Sequence, residues 1–307
     1  MANKTILVGI ASYHDPELPK TIADCLAKAK HQDRVYFAVV NQYDTHTINS
    51  LDDFPSEKIK LAQFDHHLTR GVGFARRLMT DLWTGEDFIL QIDAHSRFEP
   101  DWDELLLKDW QACNDDRAVL TAYPPGYQIA SDGAVTLTPY VPTTIFHVSM
   151  KGDIPALKAS IRPNPNLERW HTTGASGNFQ FGPGSVFGVS YISEICFTGE
   201  EFVRGLQLYS HGFRLYAPNA LPVRHLYNRQ GTRFWDDMPA RGATEHYNRM
   251  TQDSYAFTRA LFAGKLPSYH RYFGDRKTIA EYLEYSRTLG SDVSILAALA
   301  SSKRDII

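Results

Sequence analysis

The chain has 307 residues, 43 % of them apolar and 22 % charged, and a net charge of −3. That composition fits one large or two small globular domains, and the near-neutral charge gives no sign of a nucleic-acid or membrane partner. Three widely spaced cysteines, Cys25, Cys113 and Cys196, exclude a disulfide framework and a zinc ribbon and point to a reducing compartment. The apolar run from Ile6 to Ala11, broken by Gly9, is too short for the core of a signal peptide, and no later stretch could span a bilayer, so the expectation is a soluble, cytoplasmic protein.

The first 125 residues alternate strand and helix patterns. Thr5 to Ile10 reads as a buried strand, and Leu18, Ile22, Cys25, Leu26 and Ala29 then recur at helical spacing. Strands are predicted over Arg34 to Val40 and Lys58 to Phe64, and a helix over Gly73 to Leu82. The most apolar strand, Phe88 to Ile92, follows, then a helix over Asp101 to Trp110 and a strand over Ala118 to Tyr123. Strands separated by helices of this length imply crossover connections and a parallel sheet.

Residues 124 to 185 differ. They are rich in Pro, Gly, Ser, Thr and Asn, carry a hairpin signal at Gly133 to Leu137, and end in the glycine-rich run from Gly174 to Gly182. The expectation here is a long functional loop. A helix over Glu200 to Tyr209 stops at His211-Gly212, and strands follow at Phe213 to Ala217 and Val223 to Tyr227. From Trp235 onward the pattern is helical and more polar. The predicted organisation is a catalytic domain over 1–235 and a helical extension over 236–307 packed on it.

Ligands of open parallel sheets bind beyond the carboxyl ends of the strands. Asp-x-His occurs after three candidate strands, at Asp44-Thr45-His46, Asp65-His66-His67 and Asp93-Ala94-His95. The third copy is the best metal candidate, because it follows the strand expected at the sheet's centre. In extended backbone Asp93 and His95 project to one side. A carboxylate and an imidazole suit Mn²⁺ or a similar divalent ion, with water and diphosphate oxygens completing the shell. The competing reading makes Asp93 a turn cap and His95 a surface residue. The first two copies read as polar strand ends near a nucleotide. No Ser-His-Asp or Cys-His arrangement is readable, and Cys196 has no evident activating partner.

An ordered set of segments resembles a known family. Ile10 to Glu17 is similar to its opening strand and nucleotide loop, and Thr69 to Arg76 to the segment leading the helix before its metal strand. Leu90 to Phe98, followed by Trp102-Asp103, is similar to the metal strand itself. Phe197-Thr198-Gly199-Glu200-Glu201 resembles its aromatic-x-glycine-glutamate turn, Pro222 to Arg229 the segment with its last metal ligand, and Phe273 to Tyr282 its C-terminal stretch. Over residues 5 to 290 the chain resembles the cytoplasmic GlcNAc-transferases that modify hydroxyproline on Skp1, and more distantly the polypeptide GalNAc-transferases. Ala94 stands where a serine is common, and Phe197 where the GalNAc enzymes use tryptophan.

The resemblance implies an α/β GT-A fold, a Rossmann-like, mostly parallel sheet flanked by helices. It implies a retaining, metal-dependent glycosyltransferase that moves a sugar, GlcNAc from UDP-GlcNAc by family precedent, to an acceptor hydroxyl on a protein, a glycan or a small molecule. His225 becomes the third metal ligand beside Asp93 and His95, and Glu200 a contact to the sugar or the acceptor; a helix-start glutamate also favours the macrodipole. For the nucleotide-sugar, Ser12 and Gln42 are candidate uridine contacts, and Gly177 and Asn178 candidate sugar contacts. Arg70, Gly71 and Arg76 lead or open a helix whose N-terminus would offer N–H groups to an anion, unless the glycines only serve a turn. Tyr227, Arg229 and Arg233 would close over the diphosphate. The alternatives are a nucleotidyltransferase or nucleotide-sugar hydrolase on a similar sheet, and a non-enzymatic nucleotide-sugar-binding module.

Overall fold

Apolar runs in the first half alternate their side chains between two buried layers, which fixes a central sheet covered on both faces. The structure, a computed structural model, describes residues 4–44, 50–141, 144–161, 170–228, 233–266 and 269–301. Strands β1 (Ile6–Tyr13), β2 (Val35–Tyr43), β3 (Ile59–Asp65) and β4 (Phe88–Asp93) pair in parallel, with β1 between β2 and β4. On one face Ile6, Val8 and Ile10 pack with Leu18, Ile22 and Cys25 of α1 (Leu18–Lys28) and with Trp102 and Leu106 of α3 (Trp102–Gln111). On the other, Leu7, Ala38, Val40 and Ile89 meet Ala75 and Met79 of α2 (Val72–Thr80). Strands buried on both faces read as near-continuous apolar runs, the pattern seen in Phe88 to Ile92.

After β4 come the short β5 (Ser96–Phe98) and then β6 (Ala118–Thr121). The hairpins β7 (Tyr127–Ile129) with β8 (Val135–Leu137) and β9 (Thr144–Lys151) with β10 (Ile154–Ile161) follow. The glycine-rich run expected as loop is corrected in its second part. Phe179–Pro183 forms β11, inserted antiparallel between β4 and β6. Phe179 and Phe181 send their rings into the core, while the Gln180 amide donates to Ser176 O and to the Tyr191 hydroxyl on the opposite face. A strand's period of two was present but masked by the glycines around it.

Helix α4 (Glu200–Ser210), β12 (Arg214–Tyr216) and β13 (Val223–His225) complete the framework. The main sheet runs β12-β6-β11-β4-β1-β2-β3, and β13 pairs separately with β5. The C-terminal helices are α5 (Phe234–Ala240), α6 (Thr244–Phe262), α7 (Tyr269–Tyr272), α8 (Ile279–Thr288) and α9 (Ser294–Ser301). A third apolar cluster joins Phe202, Val203 and Leu206 of α4 to Leu261, Phe262, Tyr282 and Leu283 of α6 and α8. Thr278 and Glu281 form a capping box that starts α8. No helix among the described residues is long and apolar enough to cross a membrane.

Candidate active site

The carboxyl ends of β1, β2 and β4 open into a pocket of about 580 Å³, within the size range of small-molecule sites. Asp93 ends β4, His95 follows two residues later, and the antiparallel pairing of β5 with β13 carries His225 opposite Ser96. The Nε2 atoms of His95 and His225 lie 2.9 Å apart, and His225 Nε2 is 3.1 Å and His95 Nε2 3.9 Å from Asp93 Oδ2. Two imidazoles and a carboxylate thus converge on one point, a group whose chemistry fits a divalent cation.

A second observation supports that fit. His95 Nδ1–H donates to Asp15 Oδ2 at 2.8 Å. An imidazole held this way presents the lone pair of Nε2 to the centre of the group. Burial alone would raise the Asp93 carboxyl, but the imidazoles of His225 and His95 and the Arg76 guanidinium outweigh it and hold the group ionised, well below the usual carboxylate range. In the sequence Asp15 stands out only as a member of the Ile10 to Glu17 segment. No local signal could expose its role, because its partner lies 80 residues away.

Arg76 is the second anchor. It is buried at 6 % exposure, donates to Glu200 Oε2 at 2.7 Å and to Gly177 O at 2.9 Å, and lies 3.3 Å from Asp93 Oδ1. Gly177 is required by this packing: a Cβ there would stand 2.4 Å from the guanidinium. The other oxygen of Glu200, Oε1, is buried without a hydrogen-bond partner among the described residues, on a side chain that lines the pocket. A buried acceptor of this kind is costly unless a ligand hydroxyl satisfies it.

Glu201, next in sequence and not singled out there, also lines the pocket and accepts from Gly177 N–H at 2.9 Å and from the Tyr123 hydroxyl at 2.6 Å. Burial, with the Glu200 carboxylate beside it, raises its carboxyl to about 7. Its folded value is above the unfolded one, so its contribution to stability is complete below pH ~4.5 and is lost as pH rises through about 7. Stability should therefore fall between pH ~4.5 and about 7, by at most ~3 kcal/mol from this group, and Glu201→Gln should flatten that dependence. Thermal melts across the range check it; identical slopes would exclude Glu201 as the cause.

The remaining predicted residues divide. Gln42, Gly71, Asn178, Tyr227 and Arg233 line the pocket with those above. Gln42 Oε1 accepts from Thr69 Oγ1 at 2.6 Å, and its amide donates to Ser12 O at 3.2 Å. Ser12 itself is corrected: Ala11 and Tyr13 line the pocket, so the intervening Ser12 side chain is buried on the other face of β1. Arg70 is exposed, lies over the Phe74 ring and does not line the pocket. The anion site expected at the start of α2 is corrected too. Val72 N–H donates to Cys196 O at 2.8 Å and Gly73 N–H to Ile195 O at 3.2 Å, so the segment 192–196 takes those donors. Gly71, at φ +90°, serves that close approach; a Cβ on it would meet Cys196 O at 2.5 Å. Arg229 lies outside the described residues, as do Thr45 and His46. Asp65 caps a short 3-10 turn through His67 N–H, and His66 turns toward Asp237. At the mouth, Phe197 packs on Trp235 with ring centroids 4.8 Å apart, both exposed.

The model of the family described as Glycosyltransferase (GlcNAc) matches residues 5–68 and 44–286. The chain belongs to that family. Its fold is GT-A: it is similar to a crystal structure of GalNAc-T7 with UDP, GalNAc and Mn²⁺, with a TM-score of 0.56 at 14 % identity. The alignment covers 74 % of the chain but 45 % of that protein, so the chain spans under half the length of this neighbour. No curated protein matches its sequence.

Proposed function

We propose that this glycosyltransferase moves a sugar from a UDP-sugar to an acceptor hydroxyl with retention of configuration, and that Asp93, His95 and His225 hold a divalent cation, Mn²⁺ by preference. The observation that carries the reading is the convergence of those three side chains at the carboxyl end of β4, inside the main pocket. The GalNAc-T7 neighbour contains UDP and Mn²⁺, which supports the same donor class and cation here. When bound, the cation would supply charge neutralisation and Lewis acidity to the departing diphosphate.

The protein's own residues do the rest of the work. Asp15 orients His95 through its Nδ1–H. Arg76 fixes Glu200 and the Gly177 carbonyl, and Glu200, which lines the pocket, is placed beside the transferred sugar. Gly177 and Asn178 leave room for the sugar ring, Gln42 reads the nucleoside, and Tyr227 and Arg233 border the diphosphate. Retention and GlcNAc as the transferred sugar rest on the resemblance to the hydroxyproline-modifying enzymes. The exposed Phe197–Trp235 pair marks the acceptor side. We assign catalysis to residues 1–235, with 236–307 as an extension packed on α4; the apolar cluster shared by α4, α6 and α8 supports this.

The test is a panel of nucleotide-sugars assayed with Mn²⁺ for release of UDP, free sugar and acceptor product. UDP-GlcNAc turnover blocked by EDTA and restored by Mn²⁺ supports the proposal, and the anomeric configuration of the product, read by NMR, tests retention. Turnover that persists in excess EDTA rules out the cation, and pyrophosphate release in place of UDP would mark a nucleotidyltransferase.

A further inference from the structure

Outside the cation group, a second cluster of titratable side chains gathers on a single oxygen of α5. Asp237 Oδ2 accepts from the Tyr13 hydroxyl, lies 3.2 Å from Arg241 Nε, and faces His14 Nε2 and His66 Nε2, each at 4.0 Å. Tyr13 ends β1, His14 follows it, His66 follows β3, and Arg241 is one turn further along in sequence, just past α5. Three side chains at the carboxyl ends of two strands therefore face α5. The cluster is largely buried: the His14, His66 and Asp237 side chains are 9 %, 7 % and 13 % exposed. His14 carries positive φ, at +31°, an unfavourable conformation for a non-glycine residue, and its N–H donates to Gln42 O at 2.7 Å. Strain of this kind persists only where the surroundings over-determine it.

The position of α5 gives the cluster its consequence. Arg233, Phe234 and Trp235, at the start of α5, line the donor pocket, and so does Tyr13. Tyr13 meets the Phe234 ring edge-on at 5.5 Å. Asp237 is the polar tie of α5 to the end of β1, beside the Phe234 ring on Tyr13 and the buried Met238, while Asp236 and Trp235 are exposed.

We infer that Asp237 is a positioning residue for the donor site: by accepting the Tyr13 hydroxyl, with the His14 and His66 imidazoles 4.0 Å away, it holds the first turn of α5 as a wall over the nucleotide-sugar. This rests on the proposed UDP-sugar reading. A buried carboxylate that accepts a hydroxyl from a neighbouring element and pairs with an arginine on its own orients the elements it joins. The group is not catalytic, because Asp237 does not line the pocket.

Two variants test it, Asp237→Ala and the milder Tyr13→Phe, which deletes one hydroxyl and keeps the ring. The expected result is a split: the KM for the UDP-sugar and the Kd for UDP with Mn²⁺ rise about 10-fold in Asp237→Ala and about 3-fold in Tyr13→Phe, while kcat at saturation stays within about 3-fold. Asp237→Glu should recover part of the affinity. Amide hydrogen exchange over residues 234–240 reads the clasp without any nucleotide, and should rise in Asp237→Ala. Unchanged exchange there, or wild-type KM in both variants, overturns the inference. If the wild type binds no UDP-sugar, the functional reading fails, and exchange alone then decides for or against the clasp. If Asp237→Ala does not fold, Tyr13→Phe carries the kinetic test.

Discussion

Replacing Asp93 with asparagine is expected to lower transfer by at least about 1,000-fold while leaving the fold intact. The carboxylate is one corner of the Asp93, His95 and His225 group, and asparagine keeps its shape but not its charge. At ~3 Å and an effective dielectric of ~20, a unit-charge pair interacts by roughly 5 kcal/mol, which is more than three decades in rate or affinity. His225→Ala should behave alike, because it removes the imidazole nearest that carboxylate. The measurement is UDP release against Mn²⁺ concentration, with circular dichroism and melting midpoints as the folding control. Wild-type turnover by Asp93→Asn at micromolar Mn²⁺ would remove the cation from the mechanism.

The largest effect on stability should come from Arg76→Met. Arg76 and Glu200 are buried at 6 % and 4 % exposure and pair at 2.7 Å, so losing the guanidinium strands the Glu200 carboxylate. Breaking a buried ion pair from one side costs about 3–5 kcal/mol, whereas replacing both partners with apolar side chains of similar volume is often close to neutral. Arg76→Met is therefore expected to lower stability by about 3–5 kcal/mol. The double variant Arg76→Met/Glu200→Leu should recover at least half of that, and neither variant should be active. Urea unfolding of the wild type and the two variants checks this comparison. Equal destabilisation by the single and the double variant would mean that the loss is one of packing rather than of a stranded charge.

Local signals made the parallel core readable. Phe88 to Ile92 is apolar at every position but Gln91, and the position of Asp93 and His95 beyond its end followed from a period of two. The segment order carried by the resemblance brought His225 to the same place. What stayed hidden depends on distant partners. Asp15 acts through His95, and Asp237 through Tyr13, His14 and His66, over separations that no local pattern encodes. The opening of α2 looked like an anion cradle because its own glycines fit one; only the chain at 192–196, which occupies the donors, decides otherwise. Ser12 failed for a smaller reason. A one-residue step along a strand reverses the face, and the sequence did not say which face of β1 met the ligand.

The place of β11 has a consequence for biogenesis. The strand that completes the flank of β4 is made only after residues 122–178 have been synthesised, and it joins two strands that precede it in the chain. Until it arrives, β4 and β6 both present unpaired backbone edges, with Phe88, Leu90 and Ile92 beside one and Leu120 beside the other. Nascent chains that stall before Pro183 therefore display a sticky, unzipped seam through the middle of the molecule, and it is there that chaperone capture or aggregation during translation should concentrate.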